Sequence, residues 1–324
     1  MSKKKYSVAI VGATGAVGQI LFELLHKRHF PFHSLKLLAS SKSAGKVVNG
    51  HIVESLGEDS FDGIDFAFFG AGSDISKKYA PIAVQRGATV IDKSSAFRMD
   101  PTVPLVIPEV NPEELKNHRG IIATPNCTAT IMLMALAPLH RRKKIRRIIA
   151  STYQAASGAG ALAMEELWEE SRARIEGKPF SRKIFAKPYA FNVFTHNSHL
   201  HDNGYVDEEM KVLEEVRKIL KEPDIGLSAT CVRVPTLRSH AESLNIEFDD
   251  PFDLHEAAEL LQKASGLKFF KDASPMDAEG KEEVLFDRLR QDLSHPNALQ
   301  LWVVGDQLLK GAALNALQIA EHLL

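Results

Sequence analysis

The chain has 324 residues, 44% of them hydrophobic and 25% charged, and a formal net charge of -1. That length suggests about two domains of an ordinary globular protein, and near-neutrality removes any bulk attraction to nucleic acid or to an anionic membrane. Two cysteines, Cys127 and Cys231, cannot make a disulfide framework, so a reducing cytoplasm is the expected compartment. No apolar run approaches the ~20 residues a membrane span needs, and the basic start Met1-Ser2-Lys3-Lys4-Lys5 lacks the apolar core of a secretory leader.

Tyr6 to Val11 reads as a buried strand. Gly12-Ala13-Thr14-Gly15-Ala16-Val17-Gly18 follows as a glycine-rich turn, and Ile20, Leu21, Leu24 and Leu25 then recur at helical spacing. Strand, G-x-x-G-x-x-G and helix in that order is the context of a dinucleotide site. Gly12 permits the tight turn, Gly15 lets backbone approach a pyrophosphate, and Gly18 allows close helix–strand packing. The helix N-terminus then faces the phosphates. The plainer alternative is a structural turn. A second strand, Leu35 to Ala39, runs into Ser40-Ser41-Lys42-Ser43-Ala44-Gly45-Lys46 with no acid to hold ribose hydroxyls. Hydroxyls and cations suit a 2′-phosphate, which predicts NADP rather than NAD; otherwise the serines only make turns. Strands at Asp65 to Phe69 and Ala88 to Asp92, with a helix from Ile75 to Arg86 between them, continue the alternation. An N-terminal Rossmann-type parallel sheet with right-handed crossovers is expected.

Gly120 to Ala123 is a further strand, and it leads into Thr124-Pro125-Asn126-Cys127-Thr128 before the apolar run Ile131 to Leu136. Pro125 ends the strand, Asn126 is a good N-cap, and Cys127 falls on the first helical turn. The positive end of a helix favours a thiolate there, which makes Cys127 a candidate nucleophile. The alternative is a small residue opening a buried helix. Beyond it the strands lengthen: Ile145 to Tyr153, Leu227 to Val234 and Ser243 to Phe248, with helices at Ala161 to Ile175 and Glu208 to Leu220. They predict a second, α+β domain whose open sheet has one face free for pairing. Leu301 to Val304 reads as a strand, and Lys310 to Leu324 as a helix returning to the first domain. The expected domains are 1-126 plus 303-324 for the dinucleotide and 127-302 for catalysis and dimerisation.

Two further segments bear on Cys127. Ser151-Thr152-Tyr153-Gln154-Ala155-Ala156-Ser157-Gly158-Ala159-Gly160 is a strand ending in a small-residue turn. Arg233-Val234-Pro235-Thr236-Leu237-Arg238-Ser239-His240-Ala241-Glu242 offers a histidine in the loop beyond another strand. With Pro125-Asn126-Cys127, Ser94-Ser95-Ala96-Phe97-Arg98-Met99, Pro108-Glu109-Val110-Asn111 and Lys310-Gly311-Ala312-Ala313-Leu314-Asn315, they occur in an order that resembles aspartate-semialdehyde dehydrogenases over nearly the whole chain.

That resemblance implies interconversion of L-aspartate 4-semialdehyde, phosphate and NADP with L-4-aspartyl phosphate and NADPH, a step in lysine, methionine, threonine and diaminopimelate biosynthesis. In the oxidative direction it implies that a Cys127 thiolate adds to the aldehyde and that His240 takes its proton as general base. Loss of hydride to the nicotinamide then leaves a thioester, which phosphate attacks. It gives Gln154 the task of orienting the acyl group and Asn126 that of holding the oxyanion. It makes Arg233 the carboxylate clamp, Glu209 the group facing the substrate ammonium, and Arg98 and Lys211 the phosphate ligands. Cofactor contacts would come from Gly12, Thr14, Gly15, Ala16, Val17, Ser40, Lys42, Ser43, Ser157, Gly158 and Asn315. The family forms homodimers through the second domain, sometimes paired into tetramers. Glu209 and Lys211 diverge on a regular helix, so both serve one site only if the helix start or a bend faces it.

The chain departs from the family pattern at Lys93, at Thr128-Ala129-Thr130-Ile131, at Ser239 where glycine is common, at Gln307-Leu308-Leu309-Lys310, and at Lys42 in place of an arginine. Cys231 reads as a mid-strand core residue. His196, His199 and His201 read as an exposed loop, with zinc binding the alternative. Two rival functions stand beside the main one. A reductase of N-acetylglutamyl phosphate would leave the ammonium ligand without purpose, and a non-catalytic dinucleotide sensor would leave Cys127 and His240 purely structural.

Overall fold

A computed structural model describes residues 4–324; Met1, Ser2 and Lys3 of the basic start lie outside the described residues. The chain forms two compact units, residues 1–126 with 312–324, and residues 127–311.

The first unit is built on β1 (Tyr6–Val11), β2 (Phe32–Ala39), β3 (Val47–Val48), β4 (His51–Ser55), β5 (Phe66–Phe69), β6 (Thr89–Asp92) and β7 (Ile121–Ala123), in the order β3-β4-β2-β1-β5-β6-β7. All neighbours are parallel except the β3–β4 hairpin. Near-continuous apolar strands such as Phe66-Ala67-Phe68-Phe69 are fully buried, as a parallel sheet covered on both faces demands. Helix α1 (Ala16–Lys27) buries Gly18, Leu21, Phe22 and Leu25, one face at helical spacing, and α2 (Ser73–Gln85) crosses from β5 to β6. The hairpin escaped the sequence reading, although its signal was present. Asn49 and Gly50 both have positive φ (48° and 81°), the combination an Asn-Gly hairpin turn requires.

The second unit holds β8 (Ile145–Gln154), β9 (Phe194–Thr195), β10 (Gly226–Arg233), β11 (His240–Phe248), β12 (Leu267–Phe269), β13 (Val284–Gln291) and β14 (Ala298–Gly305). They form one mixed sheet in the order β12-β13-β14-β11-β8-β10-β9. Its helices are α3 (Cys127–Arg142), α4 (Ala161–Ile175), α5 (Asp207–Leu220), α6 (Leu254–Lys263) and α7 (Pro275–Ala278). Helix α3 is buried on nearly every side because α5, α6 and the sheet all pack on it. On β8, Ile148, Ala150, Thr152 and Gln154 are buried on one face; Ile149, Ser151 and Tyr153 emerge on the other, where Tyr153 lies 5.5 Å from the Trp302 ring.

The return to the first unit falls at Ala312, not at residue 303. Strand β14 pairs with both β11 and β13, so removing residues 303–305 would break two ladders. The final helix is shorter than its pattern suggested: α8 (Leu314–Glu321) follows a π-helical stretch, Leu309–Ala313. Arg28 grips Glu321 at 2.8 and 2.7 Å through Nε and Nη2, which anchors α8 in the first unit.

Candidate active site

Cys127 is the first residue of α3 and is half-exposed. The first turn of that helix carries no acid, and its last turn carries His140, Arg141 and Arg142, a charge order that reinforces the helix dipole. Gly311 leaves room for the thiol-bearing carbon: a methyl group at 311 would lie 2.9 Å from Cys127 Cβ. Cys231, by contrast, is wholly buried in β10, and burial pushes its thiol well above the ordinary range.

Strand register lines up the other candidates. Arg233 on β10 pairs with Gln154 on β8, and His240 on β11 pairs with Gly305 on β14. Ala241 pairs with Tyr153, so His240 falls beside Gln154 and the row reads Arg233, Gln154, His240, Gly305. Residues opposite one another share a face, here the helix-covered one. The row is roofed by Gly158, where a methyl group would lie 2.9 Å from Arg233 Nη1 and 3.2 Å from His240 Nε2. Ile131 packs on Gly305 at the end of this row.

Arg233 is 4% exposed. Its Nη1 donates to the Ala155 carbonyl at 3.0 Å and its Nη2 contacts His196 Nε2 at 2.7 Å. Among the described residues Nε is buried with no partner, and no carboxylate pairs with the guanidinium. A buried cation without a counter-ion is costly, so the position suits an incoming anion.

His240 is the first residue of β11 and not a loop residue, because β11 begins earlier than its apolar pattern indicated. The Ala155 N–H donates to its Nδ1 at 3.0 Å. Burial, with Arg233 nearby, pushes its pKa down to about 3, so the ring is neutral. With Nδ1 accepting, the proton sits on Nε2, and that atom is buried without a partner among the described residues. His240 therefore presents a hydrogen-bond donor, fitted to an oxyanion rather than to removing a proton from a thiol.

The turn into β11 is strained. Ser239 has φ 70°, its N–H donates to Gln307 Oε1 at 2.8 Å, and its buried hydroxyl has no partner among the described residues. Glycine accepts that conformation freely. We expect Ser239→Gly to raise unfolding stability by about 1 kcal/mol, the relief of strain and of an unpaired hydroxyl exceeding the added chain entropy. A denaturant titration that shows a loss of stability would contradict this account. Gln307 also donates from Nε2 to Ser157 Oγ.

The α5 carboxylates are sorted differently from the sequence reading. Glu209 is occupied by backbone: Oε2 accepts from Val206 N–H and Oε1 from Cys231 N–H, each at 2.9 Å. It caps its own helix and ties it to β10, so both of its oxygens serve backbone N–H groups. Glu208 reaches the row instead, accepting from Gln154 Nε2 at 3.0 Å; the same carboxamide nitrogen lies 3.0 Å from Thr128 Oγ1. Lys211 lies 3.9 Å from Glu208, one turn along, which resolves the geometric difficulty of pairing Lys211 with Glu209.

The three loop histidines do not converge. His196 turns to Arg233, His201 pairs with Asp207 at 2.8 Å, and no group of three metal-ligating side chains occurs among the described residues.

In the first unit the glycine turn is shaped for an anion. Gly12 has φ 85°, and a methyl group at Gly18 would lie 2.4 Å from the Gly12 carbonyl oxygen. Gly15 caps α1 without a side-chain hydrogen bond, and the first turn, with Ala16 and Val17, has no acid. Its N–H groups are thus left to a ligand, and Thr14 lies in the same turn. Ser40 and Lys42 are exposed and Ser43 half-buried in the turn after β2. Arg98 is buried, with Nη2 donating to the Lys93 carbonyl at 2.7 Å. Asn126 is buried at the end of this unit, and Asn315 Nδ2 donates to the Val106 carbonyl at 2.9 Å.

Comparison with known proteins finds a family for both parts of the chain. Residues 7–118 match the family described as semialdehyde dehydrogenase, NAD binding domain, and residues 136–310 match semialdehyde dehydrogenase, dimerisation domain. An aspartate-semialdehyde dehydrogenase of Synechocystis sp. is 51% identical over 326 residues, 98% of this chain and 96% of that protein. The chain belongs to the aspartate-semialdehyde dehydrogenase family. The Bacillus subtilis aspartate-semialdehyde dehydrogenase is 44% identical over 98% of this chain and 96% of its own length. The crystal structure of aspartate semialdehyde dehydrogenase II complexed with ASA from Vibrio cholerae superposes with a TM-score of 0.95 at 42% identity, covering 99% of this chain and 98% of that one. As a member of this dehydrogenase family the chain is an oxidoreductase of amino-acid biosynthesis with an NAD(P)-binding domain. No described helix is long and apolar enough to cross a membrane.

Glu208, which joins the row, and Gly311, which packs on Cys127, are the neighbours of these groups that the sequence reading did not single out. The E-x-x-K spacing of Glu208 and Lys211, one helical turn, was the available signal for the first; Gly311 was quoted only as part of a family segment.

Proposed function

We propose that this enzyme interconverts L-aspartate 4-semialdehyde, phosphate and NADP with L-4-aspartyl phosphate and NADPH through a thioester on Cys127. One observation carries the reading: the buried, counter-ion-free guanidinium of Arg233 stands in one row with Gln154 and the Nε2–H of His240. Arg233 binds the substrate carboxylate, and Glu208 receives its ammonium. Cys127, at the positive end of α3, attacks the aldehyde carbon as thiolate. His240 Nε2–H, with Asn126, stabilises the oxyanion of the hemithioacetal, and Gln154 orients the acyl group. NADP would supply the hydride acceptor; the Gly12–Gly18 turn with Thr14, Gly15, Ala16 and Val17 would hold it, and by the family resemblance Ser157, Gly158 and Asn315 would add contacts. Ser40, Lys42 and Ser43 favour its 2′-phosphate, since that turn has no acid to prefer a free ribose hydroxyl. Arg98 and Lys211 hold the phosphate that cleaves the thioester.

The test is direct. Protein, NADP, phosphate and L-aspartate 4-semialdehyde are mixed and reduced cofactor is followed by absorbance. A rise that needs phosphate supports the reading; no rise with normal cofactor binding favours the sensor, and a rise only with the N-acetylglutamate aldehyde favours the other reductase.

Glu208 and Glu209 give a sharper contrast. Glu208→Gln is expected to raise KM for the amino aldehyde about tenfold with little change in stability. Glu209→Gln is expected to lower stability by about 1–2 kcal/mol and leave KM nearly unchanged, because its carboxylate serves backbone N–H groups. The reverse pattern would restore Glu209 as the ammonium ligand.

We further assign a homodimer, with pairing of dimers into tetramers as the higher assembly, to the partly exposed sheet face that carries Ile149, Ser151, Tyr153 and Trp302. A monomer by equilibrium sedimentation at micromolar concentration would remove that assignment.

A further inference from the structure

His196 takes no part in the chemistry above, yet it makes the shortest contact of Arg233, 2.7 Å from Nη2 to Nε2. A guanidinium has no lone pair to offer, so Arg233 donates and His196 Nε2 accepts. In the neutral ring the proton then sits on Nδ1, which lies 3.0 Å from Ser198 Oγ and donates to it. Ser198 Oγ also accepts from the Glu208 N–H at 3.2 Å. The Ser198 N–H, 3.3 Å from Nδ1, faces another N–H in this tautomer and makes no bond to it.

An unbroken chain of hydrogen bonds thus runs from the Arg233 guanidinium through His196 and Ser198 to the backbone of Glu208. Glu208 in turn bonds Gln154, the neighbour of Arg233 in the sheet. We propose that His196, with Ser198, is a positioning pair that determines substrate specificity: it locks the rotation of the Arg233 guanidinium and holds it at a set separation from Glu208. The two groups that read the α-carboxylate and the α-ammonium of the substrate are thereby spaced for an amino acid aldehyde. This inference rests on the roles given to Arg233 and Glu208 under Proposed function.

The charge environment keeps the acceptor in place. Arg233 on β10, Lys211, Asp207 and Glu208 on α5 and His240 on β11 all act on the His196 ring or feel it. Burial first, then Arg233, brings its pKa down to about 4. The ring therefore stays neutral and accepting through the whole neutral range, and a protonated ring would oppose the guanidinium it now holds.

The test is steady-state kinetics of the full enzyme with L-aspartate 4-semialdehyde. His196→Ala is expected to raise KM for the aldehyde about tenfold, with kcat and KM for phosphate each within about twofold. His196→Gln keeps an acceptor oxygen for Arg233 and should return KM to within about threefold of the parent. Ser198→Ala, which removes the second link alone, should raise the same KM by about threefold. An unchanged KM in His196→Ala, equal rises in both KM values, or a glutamine variant no better than alanine would overturn the proposal. If His196→Ala does not fold, the other two variants decide it: a flat Ser198→Ala or a glutamine variant with a tenfold higher KM refutes it. Arg233→Lys measured alongside separates the two readings. An unchanged aldehyde KM there brings down the clamp itself, whereas a raised KM there with a silent His196→Ala brings down only the positioning pair.

Discussion

Replacing Cys127 by alanine is expected to lower kcat for phosphate-dependent oxidation of L-aspartate 4-semialdehyde by at least about 10⁴-fold, while NADP affinity changes by less than about twofold. The size follows from covalent catalysis. Without the sulfur no hemithioacetal forms, and the remaining oxyanion donors have nothing to stabilise. The clean separation from binding follows from structure. Cys127 is the half-exposed first residue of α3, and the burial of that helix rests on Thr128 to Ala137 and Leu139. Alanine removes one atom and strains nothing, since the close approach at Gly311 involves the β-carbon that alanine retains. Cys127→Ser should stay nearly as inactive, because a hydroxyl at a helix N-terminus remains protonated and an oxygen ester is a poorer acyl donor to phosphate. Stopped-flow absorbance for turnover and fluorescence titration for NADP check both halves. Activity within a hundredfold of the parent would exclude the thioester route.

Arg233→Lys carries the second large effect. KM for the amino aldehyde should rise by about 10²-fold or more, with KM for phosphate within about threefold. Lysine is charged but lacks the fork, so it can serve neither the Ala155 carbonyl and His196 together nor a carboxylate bidentately. Arg233→Met sharpens the argument. Arg233 is a buried cation without a carboxylate partner among the described residues, and removing such a charge is often neutral or stabilising. Methionine should therefore leave the unfolding midpoint unchanged or raised while turnover is lost. A large drop in stability would mean that Arg233 is held for the fold and not for the substrate. Equal effects on aldehyde and phosphate would argue against its role as a clamp.

How much of this was legible depended on whether the deciding interaction was local. Tyr6–Val11, Ala161–Ile175 and the helix starting at Cys127 could be read directly because strand and helix periods repeat within each segment. The first residues of β11 could not: His240 looked like a loop residue because Ser239 must adopt positive φ for the strand to begin there, and a serine does not announce that. The domain boundary shifted for a similar reason. Leu301 to Val304 was recognised as a strand, but its sheet is chosen by pairing with β11 and β13, and those partners are distant in the sequence.

What the sequence determined by itself is a chain that alternates strands and helices, opens on a phosphate-shaped glycine turn, and places one cysteine where a strand gives way to the positive end of a helix. These follow from short-range rules of backbone conformation and side-chain spacing. The tertiary structure alone decided which of two adjacent glutamates joins the row of Arg233 and Gln154, which nitrogen of His240 carries the proton, and what holds Arg233. Glu209 is consumed by the Cys231 N–H from another strand, His240 is polarised by the Ala155 N–H, and His196 is brought to Arg233 by the pairing of β9 with β10. Each is a hydrogen bond between residues far apart in the chain, and no local propensity encodes such a partner.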